Sequence, residues 1–230
     1  MNNIEEEAKT YLESNKKKLI QDFVISKRLK AAENPISFFM AGATGAGKTE
    51  MASNLVGLVN NYLHIDADKI REWIPGYNGA NATDFQSACS LGVEKIYDYC
   101  LEKKFNVIVD GTLQSYNVAT KNITRSLLHG RKIVIFFVYQ EPVITWSLVK
   151  IRERLQGRKV PFDVFVKSYL ESIRNVDRLK REYGDRIELW CLEKRGKTDE
   201  PGYEQKIYTN VGSIDSCLKV DYNIDSVQEW

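Results

Sequence analysis

The sequence predicts an α/β fold in which a parallel sheet of about five strands is flanked by helices. Short apolar runs rich in β-branched and aromatic residues recur along the chain, and longer segments with helical periodicity separate them. Strands that are apolar on both faces and alternate with helices are typical of a sheet covered by helices. A glycine-rich turn directly after the first run fits the same class. The predicted strands are Ile36–Ala41, Tyr62–Ile65, Asn106–Val109, Lys132–Tyr139 and Arg186–Cys191.

Two further segments are expected to pack on this sheet. In residues 4–33, apolar side chains recur on one helical face, which predicts an amphipathic helix or two. Asn34-Pro35 should end that helix, because the residue before a proline is pushed out of the α region. Tyr203–Val211 reads as a strand that forms a hairpin with the last predicted strand. The predicted division is a helical extension over 1–33, a central domain over 34–192 and a C-terminal extension over 193–230 packed on that domain.

The composition narrows the class of protein. Hydrophobic residues at 43% suffice for a packed core, and 33 Lys and Arg residues nearly balance 31 Asp and Glu residues. This balance argues against a nucleic acid as the partner. Four cysteines without C-x-x-C spacing and only two histidines argue against a zinc site and a disulfide framework. The chain begins without an apolar signal core and holds no membrane-length apolar run, so we expect a cytoplasmic protein with no membrane partner.

One motif carries strong chemical information. It reads G-x-x-x-x-G-K-T and follows the first predicted strand directly. Its glycines let backbone N–H groups turn toward phosphate oxygens at a helix N-terminus, and its lysine reaches the β and γ phosphates of a bound nucleotide. The motif therefore predicts ATP or GTP binding and a P-loop kinase-like sheet. The predicted nucleotide-binding residues are Gly42, Ala43, Thr44, Gly45, Ala46, Gly47, Lys48 and Thr49.

A carboxylate is expected beside this motif. Asp110 follows the third predicted strand, where an acid can hold Mg²⁺ directly or through water together with the hydroxyl of Thr49. The alternative for Asp110 is a helix cap at the strand–helix junction. The chain has no N-K-x-D guanine signature, and Gly111 stands where motor-type ATPases often carry a glutamate. We therefore favour ATP with Mg²⁺ and a separate small-molecule acceptor.

The acceptor side is predicted from the segment His64–Arg71. It follows the second strand and should open at the carboxyl edge of the sheet, beside the nucleotide motif. A carboxylate there can orient an acceptor hydroxyl and take its proton. Asp68 is the candidate base and would share a helical face with Arg71, whereas we expect Asp66 to cap the helix.

A cationic segment lies farther along the chain. Residues 150–159 hold five cations against one acid and are followed closely by Pro161. Arginines at such a place can form a lid that closes on ATP and neutralises the transferring phosphoryl group. The alternative is a solvated helix face.

In this order and spacing, the motifs resemble those of the zeta toxin family of bacterial P-loop kinases. The resemblance covers roughly residues 36–192 and rests on the segments GATGAGKT, HIDADKIREWIPGY, VIVDGT, ERLQGRKVP and SYLESIRNVDRL. It implies phosphorylation of the 3′-hydroxyl of UDP-N-acetylglucosamine, which poisons cell-wall precursor synthesis. It also implies a small helical antitoxin as a partner that obstructs the nucleotide site.

The resemblance also implies roles for individual residues. Asp68 falls on the catalytic base, and Lys48 acts on the phosphates. The implied lid arginines are Arg154 and Arg158, with Arg152 as an alternative to Arg154. The implied substrate-binding residues are Asp68, Arg71, Asp110 and Thr112.

The sequence departs from the family pattern at three places. Trp73–Tyr77 replaces a His-Pro dipeptide, Asp110 stands where glutamate is common, and Gly157-Arg158-Lys159 stands in place of Gly-Gly-His. These departures leave the kinase residues intact and leave the acceptor open. Alternative acceptors are a nucleotide, NAD or a polynucleotide end. A different class of function is a nucleotide-dependent binding switch without phosphoryl transfer.

Overall fold

Six strands form one sheet in this computed structural model, which describes residues 3–58, 61–157, 159–197, 200 and 202–218. The order across the sheet is β2-β3-β1-β4-β5-β6, and β1 to β5 are parallel. The strands are β1 (Ile36–Ala41), β2 (Tyr62–Ile65), β3 (Asn106–Val109), β4 (Lys132–Gln140), β5 (Glu188–Arg195) and β6 (Glu204–Tyr208). The predicted α/β class, with helices flanking a mainly parallel sheet, is confirmed.

The C-terminal hairpin is also present, but its first strand is longer than predicted. β5 runs to Arg195, and β6 pairs antiparallel with it, so that Arg195 lies opposite Glu204. The charged residues at the end of β5 resemble the start of a loop in the sequence. Backbone pairing with β6 extends the strand, because the ladder satisfies the N–H and C=O groups of these residues whatever their side chains.

Helices cover both faces of the sheet. They are α1 (Asn3–Ser14), α2 (Lys16–Phe23), α3 (Lys48–Leu58), α4 (Ala67–Trp73), α5 (Gln86–Glu102), α6 (Tyr116–Leu128), α7 (Pro142–Gln156) and α8 (Phe162–Tyr183). Within the described ranges, no helix is both long enough and apolar enough to cross a lipid bilayer.

The N-terminal helices end earlier than predicted. The expectation that Asn34-Pro35 stops a helix is wrong, because α2 ends at Phe23 and a short 3₁₀ turn over Ile25–Lys27 follows. Arg28 then takes a left-handed conformation with φ of 54°. The side chain of Asn61 binds both the N–H and the C=O of Lys30, at 2.6 and 2.9 Å, and so ties the nonhelical segment to the residue before β2.

The N-terminal helices share the core of the sheet. Leu12 of α1 and Leu19 of α2 are fully buried in the cluster that includes Ile70 of α4 and the apolar face of α5. A Cβ on Gly92 of α5 would lie 2.7 Å from Cγ2 of Ile70 and 2.9 Å from Cδ1 of Leu12. Gly92 therefore allows α1 and α4 to approach α5 closely. The three-part division of the chain stays a prediction.

We expect Gly92→Ala to lower the free energy of unfolding by about 1 kcal/mol. Overpacking destabilises the fold by about 1–3 kcal/mol, and the better helix propensity of alanine offsets about 1 kcal/mol of that loss. For a chain of this size such a loss lowers the melting temperature by about 2–4 °C. Gly212→Ala is the matched control, because a Cβ there meets no atom within 4 Å. Equal melting temperatures of the two variants would contradict the expected net loss of stability at Gly92.

Candidate active site

The nucleotide motif connects β1 to α3 at the centre of the sheet. Gly42 has a φ of 125°, and a Cβ on it would lie 2.3 Å from the carbonyl oxygen of Val138 in β4, so only glycine fits there. Lys48 begins α3, and its Nζ donates a hydrogen bond to the carbonyl oxygen of Ala43 at 2.6 Å. The ammonium group therefore lies over the loop of backbone amides that the sequence predicts to bind phosphate.

The two predicted metal ligands are in direct contact. Oγ1 of Thr49 donates a hydrogen bond to Oδ2 of Asp110 at 2.6 Å. Burial would raise the pKa of the Asp110 carboxyl, but the adjacent His64 ring, the hydrogen bond from Thr49 and the charge of Lys48 outweigh it, so this pKa lies below its usual range. Asp110 is thus ionised at neutral pH, as a metal ligand must be. Their metal-binding role stays a prediction.

The carboxyl ends of neighbouring strands explain this contact. β1 lies beside β3, and β3 lies beside β2, so the residues that follow the three strands meet at one edge of the sheet. The N–H of Asp110 donates to the carbonyl oxygen of Ile65 at 2.9 Å, which continues the ladder between β2 and β3. The residues after β2, including the predicted acceptor segment, therefore lie next to Asp110.

Asp66 caps the helix that carries the candidate base. Its Oδ1 accepts a hydrogen bond from the N–H of Asp68 at 2.9 Å, and α4 begins at Ala67. The predicted capping role of Asp66 is confirmed. The cap fixes the first turn of α4 and hence the position of Asp68.

Two arginines hold the carboxylate of Asp68. Nη1 of Arg71 donates to Oδ1, and Nη2 of Arg152 donates to Oδ2 at 2.7 Å. Arg71 is 2% exposed, and its Nη2 donates to Oε1 of Gln86 at 2.9 Å. Arg71 is therefore a buried support for Asp68, and the direct substrate contact that the resemblance implies for it stays a prediction.

α7, the helix that carries the predicted lid, reaches the candidate base through the alternative arginine. α7 carries Arg152 to Asp68, whereas Arg154 lies exposed two residues farther along the same helix. Arg158 lies outside the described residues. The geometry favours Arg152 as the first lid arginine, and the roles of Arg154 and Arg158 stay predictions.

Hydrogen bonds from two other parts of the chain hold the loop that contains Thr112. The carbonyl oxygen of Thr112 accepts a hydrogen bond from the N–H of Gly42 at 3.3 Å. Nδ2 of Asn175 in α8 donates to the carbonyl oxygens of Leu113 and Gln114, at 3.0 and 2.9 Å. Leu113 has a φ of 55°, an unfavourable conformation that these bonds maintain. Thr112 therefore lies beside the nucleotide motif, which is compatible with its predicted substrate contact.

Three residues at this edge had no role in the sequence analysis. Nε2 of His64 lies 3.5 Å from Oδ2 of Asp110. The buried ammonium of Lys194 lies against Gly47 and 3.5 Å from Oε2 of Glu50. Asn175 is the third. His64 could have been found from strand alternation, whereas Lys194 and Asn175 reach the site only through the fold.

Solved structures share this fold at low sequence identity. One comes from the PezAT chromosomal toxin–antitoxin system of Streptococcus pneumoniae, with a TM-score of 0.63 and 18% identity over 83% of this chain and 80% of that chain. The AvrRxo1-ORF1:-ORF2 complex with ATP gives a TM-score of 0.61 and 12% identity over 90% of this chain and 67% of that chain. A chain of the Pnkp1/Rnl/Hen1 RNA repair complex gives a TM-score of 0.55 and 14% identity, and the match covers 85% of this chain and 54% of that one. At these identities the likeness shows the fold alone.

The comparison by sequence is more specific. No curated protein matches this chain. The model of the family described as Zeta toxin, however, matches residues 22–207, which include every element from β1 to β5 and most of β6. The chain therefore belongs to the zeta toxin family.

Proposed function

We propose that this chain is an ATP-dependent kinase that phosphorylates a hydroxyl group of a small-molecule acceptor. The acceptor that we propose is UDP-N-acetylglucosamine, at its 3′-hydroxyl, with toxicity to a bacterial host as the consequence. The observation that carries this proposal is the contact between Arg152 of the lid helix and Asp68. It joins a lid cation to the candidate base beside the nucleotide motif.

A series of contacts links the base to the phosphate-binding loop. Asp68 binds Asp66, whose ligand atom lies within 4.8 Å of those of Asp110 and His64. Asp110 in turn binds Thr49, the neighbour of Lys48. The groups needed to bind ATP and to activate an acceptor therefore share one edge of the sheet, where open α/β sheets bind ligands.

In the proposed reaction, the β and γ phosphates of ATP lie against the loop amides and the Lys48 ammonium. Asp68 orients the acceptor hydroxyl and takes its proton as the oxygen bonds to the γ phosphorus. The bond from that phosphorus to the β–γ bridging oxygen breaks, and ADP leaves. Arg152, which already binds Asp68, would stabilise the charge of the transferring group from the side of the base.

The oxygens of Thr49 and Asp110 fit a divalent cation. One is a hydroxyl and the other an ionised carboxylate, which are hard ligands suited to Mg²⁺. Thr49 and Asp110 would hold Mg²⁺, which would supply neutralisation of the phosphate charge.

A groove between α1 and the start of α5 is linked to Asp68 through Gln86 and Arg71, and we propose it as space for the acceptor. Its volume is about 640 Å³, within the usual range for ligand sites, and Gln86 lies both in its wall and against Arg71. Hydroxyl and carboxylate groups in this wall suit the hydroxyls of a sugar. The polar residues of the wall are Glu5, Lys9, Thr83, Gln86, Ser87, Ser90 and Glu94.

The decisive test is incubation of the purified chain with ATP and UDP-N-acetylglucosamine, followed by mass spectrometry. We expect a product that is heavier by one phosphate. If neither product nor ATP turnover occurs with this sugar, the proposed acceptor is wrong. A screen of a metabolite extract for ATP-dependent mass shifts would then distinguish a nucleotide, NAD or a polynucleotide end. ATP binding without consumption of any acceptor would favour a binding switch.

The toxin part of the proposal has its own test. The PezAT structure comes from a toxin–antitoxin system, and we propose a small helical antitoxin as the partner of this chain. Induced expression in a bacterial host should slow growth with the wild-type chain and not with Lys48→Ala. Equal growth would contradict toxicity and would leave the kinase proposal untouched.

A further inference from the structure

His64 directs a buried ring nitrogen toward the acids at the carboxyl edge of the sheet. We propose that His64, Asp66 and Asp110 form a divalent-metal site in which His64 supplies an imidazole ligand, so that the site prefers Mn²⁺ to Mg²⁺. This inference deepens the proposed function, because it adds His64 and Asp66 to Asp110, already proposed as a cation ligand, and names the ion that the nucleotide-free chain prefers. Its test requires neither ATP nor phosphoryl transfer.

Strand geometry places these side chains together. Successive side chains of a strand point to opposite faces, so Tyr62, His64 and Asp66 share a face. Asp66 keeps an extended backbone, with φ of −115° and ψ of 116°, and therefore continues the alternation past the end of β2. Tyr62 packs against Phe38 in the smaller core cluster, and His64 points along the same side toward Asp110.

The distances suit a single ion. Nε2 of His64 lies 3.5 Å from Oδ2 of Asp110, and the ligand atoms of all three residues lie within 4.8 Å of one another. An octahedral ion with ligands at about 2.1 Å separates neighbouring ligands by about 3.0 Å and opposite ones by about 4.2 Å. Shifts of about half an ångström would bring the three groups onto one ion.

The imidazole nitrogen of His64 is a second observation that indicates a bound metal ion. The His64 side chain is 10% exposed, and its Nε2 is fully buried and makes no hydrogen bond of normal geometry with any residue that the structure describes. An unpaired buried polar atom destabilises a folded protein, and a bond to a metal ion would offset that cost. Asp66 uses Oδ1 to cap α4, so its other oxygen can face the ion.

The ligand set decides which ion is preferred. Carboxylate oxygens suit both Mg²⁺ and Mn²⁺, whereas an imidazole nitrogen favours a transition metal over Mg²⁺, so two carboxylates with one imidazole favour Mn²⁺ over Mg²⁺. Mg²⁺ also gives up its waters reluctantly, so it gains little from a fixed ring nitrogen. We therefore expect Mn²⁺ to bind the nucleotide-free chain more tightly than Mg²⁺.

Electron paramagnetic resonance tests the proposal directly. The full chain, free of nucleotide, is titrated with MnCl₂ while the signal of free Mn²⁺ is followed, and Mg²⁺ is then added as a competitor. Pulsed measurements on protein labelled with ¹⁵N-histidine report whether an imidazole nitrogen is bonded to Mn²⁺. The chain has only two histidines, so His129→Gln leaves His64 as the sole labelled ring.

We expect one bound Mn²⁺, a nitrogen coupling that persists in His129→Gln, and an affinity at least about tenfold lower in His64→Gln. Absence of the coupling in folded His129→Gln would overturn the proposal, even if His64→Gln failed to fold. Displacement of Mn²⁺ by equimolar Mg²⁺ would overturn the proposal that the site prefers Mn²⁺. Metal binding without any kinase activity would contradict only the proposed function, whereas kinase activity without the coupling would contradict only this site.

Discussion

Lys48→Ala is expected to lower ATP turnover by at least about 10²–10³-fold, the usual effect of removing one preorganised group that stabilises transition-state charge. Lys48 is 8% exposed, and its Nζ donates a hydrogen bond to the carbonyl oxygen of Ala43 in the loop that we propose to bind phosphate. No other side chain of the motif carries a positive charge. The measurement is the rate of ADP formation with saturating acceptor, together with the affinity for a non-hydrolysable ATP analogue.

The control must separate this chemistry from loss of structure. Lys48→Met keeps most of the buried aliphatic stem and removes the charge together with the hydrogen bond to Ala43, so it should be as inactive as Lys48→Ala and melt closer to wild type. Lys69→Ala removes an exposed lysine from nearby α4 and should retain full activity. Wild-type turnover in folded Lys48→Met would show that the loop does not position ATP for transfer.

The sequence predicted the sheet well because the evidence for each strand is local. A run such as Ile133–Val138 is apolar on both faces and rich in β-branched and aromatic residues, which is typical of a buried strand. The nucleotide motif is equally local, since its spacing alone determines the loop. The end of β5 depends instead on a distant partner, β6, and Asn61 holds the nonhelical segment after α2; the sequence identifies neither contact.

At the site, the sequence could not identify which arginine of the predicted lid contacts Asp68. Arg152 and Arg154 are two residues apart on α7, so their side chains point in directions that differ by about 200°. The sequence is compatible with either arginine as the contact of Asp68, and the packing of α7 turns Arg152 toward it. His64 was missed because its partner Asp110 lies 46 residues away in the sequence and one strand away in the sheet.

Asp68→Asn is expected to lower kcat for phosphoryl transfer by about 10²–10⁴-fold, the range for a general base, and to leave affinity for the ATP analogue unchanged. Asparagine keeps the shape of the side chain and an oxygen that can accept from Arg71. It removes the negative charge that takes the proton of the acceptor hydroxyl. Kinetics at saturating ATP and varied acceptor would separate an effect on kcat from one on KM.

Glu72→Gln is the matched control, since it neutralises an exposed carboxylate on the same helix, four residues from Asp68. It should leave both constants unchanged. If Asp68→Asn raised only KM, Asp68 would bind the acceptor without serving as its base. Arg152→Gln distinguishes the roles further, because a lid cation that stabilises the transferring phosphoryl must lower kcat even while Asp68 stays charged. A normal kcat in Arg152→Gln would therefore assign the contact between the two residues to folding of the lid and not to catalysis.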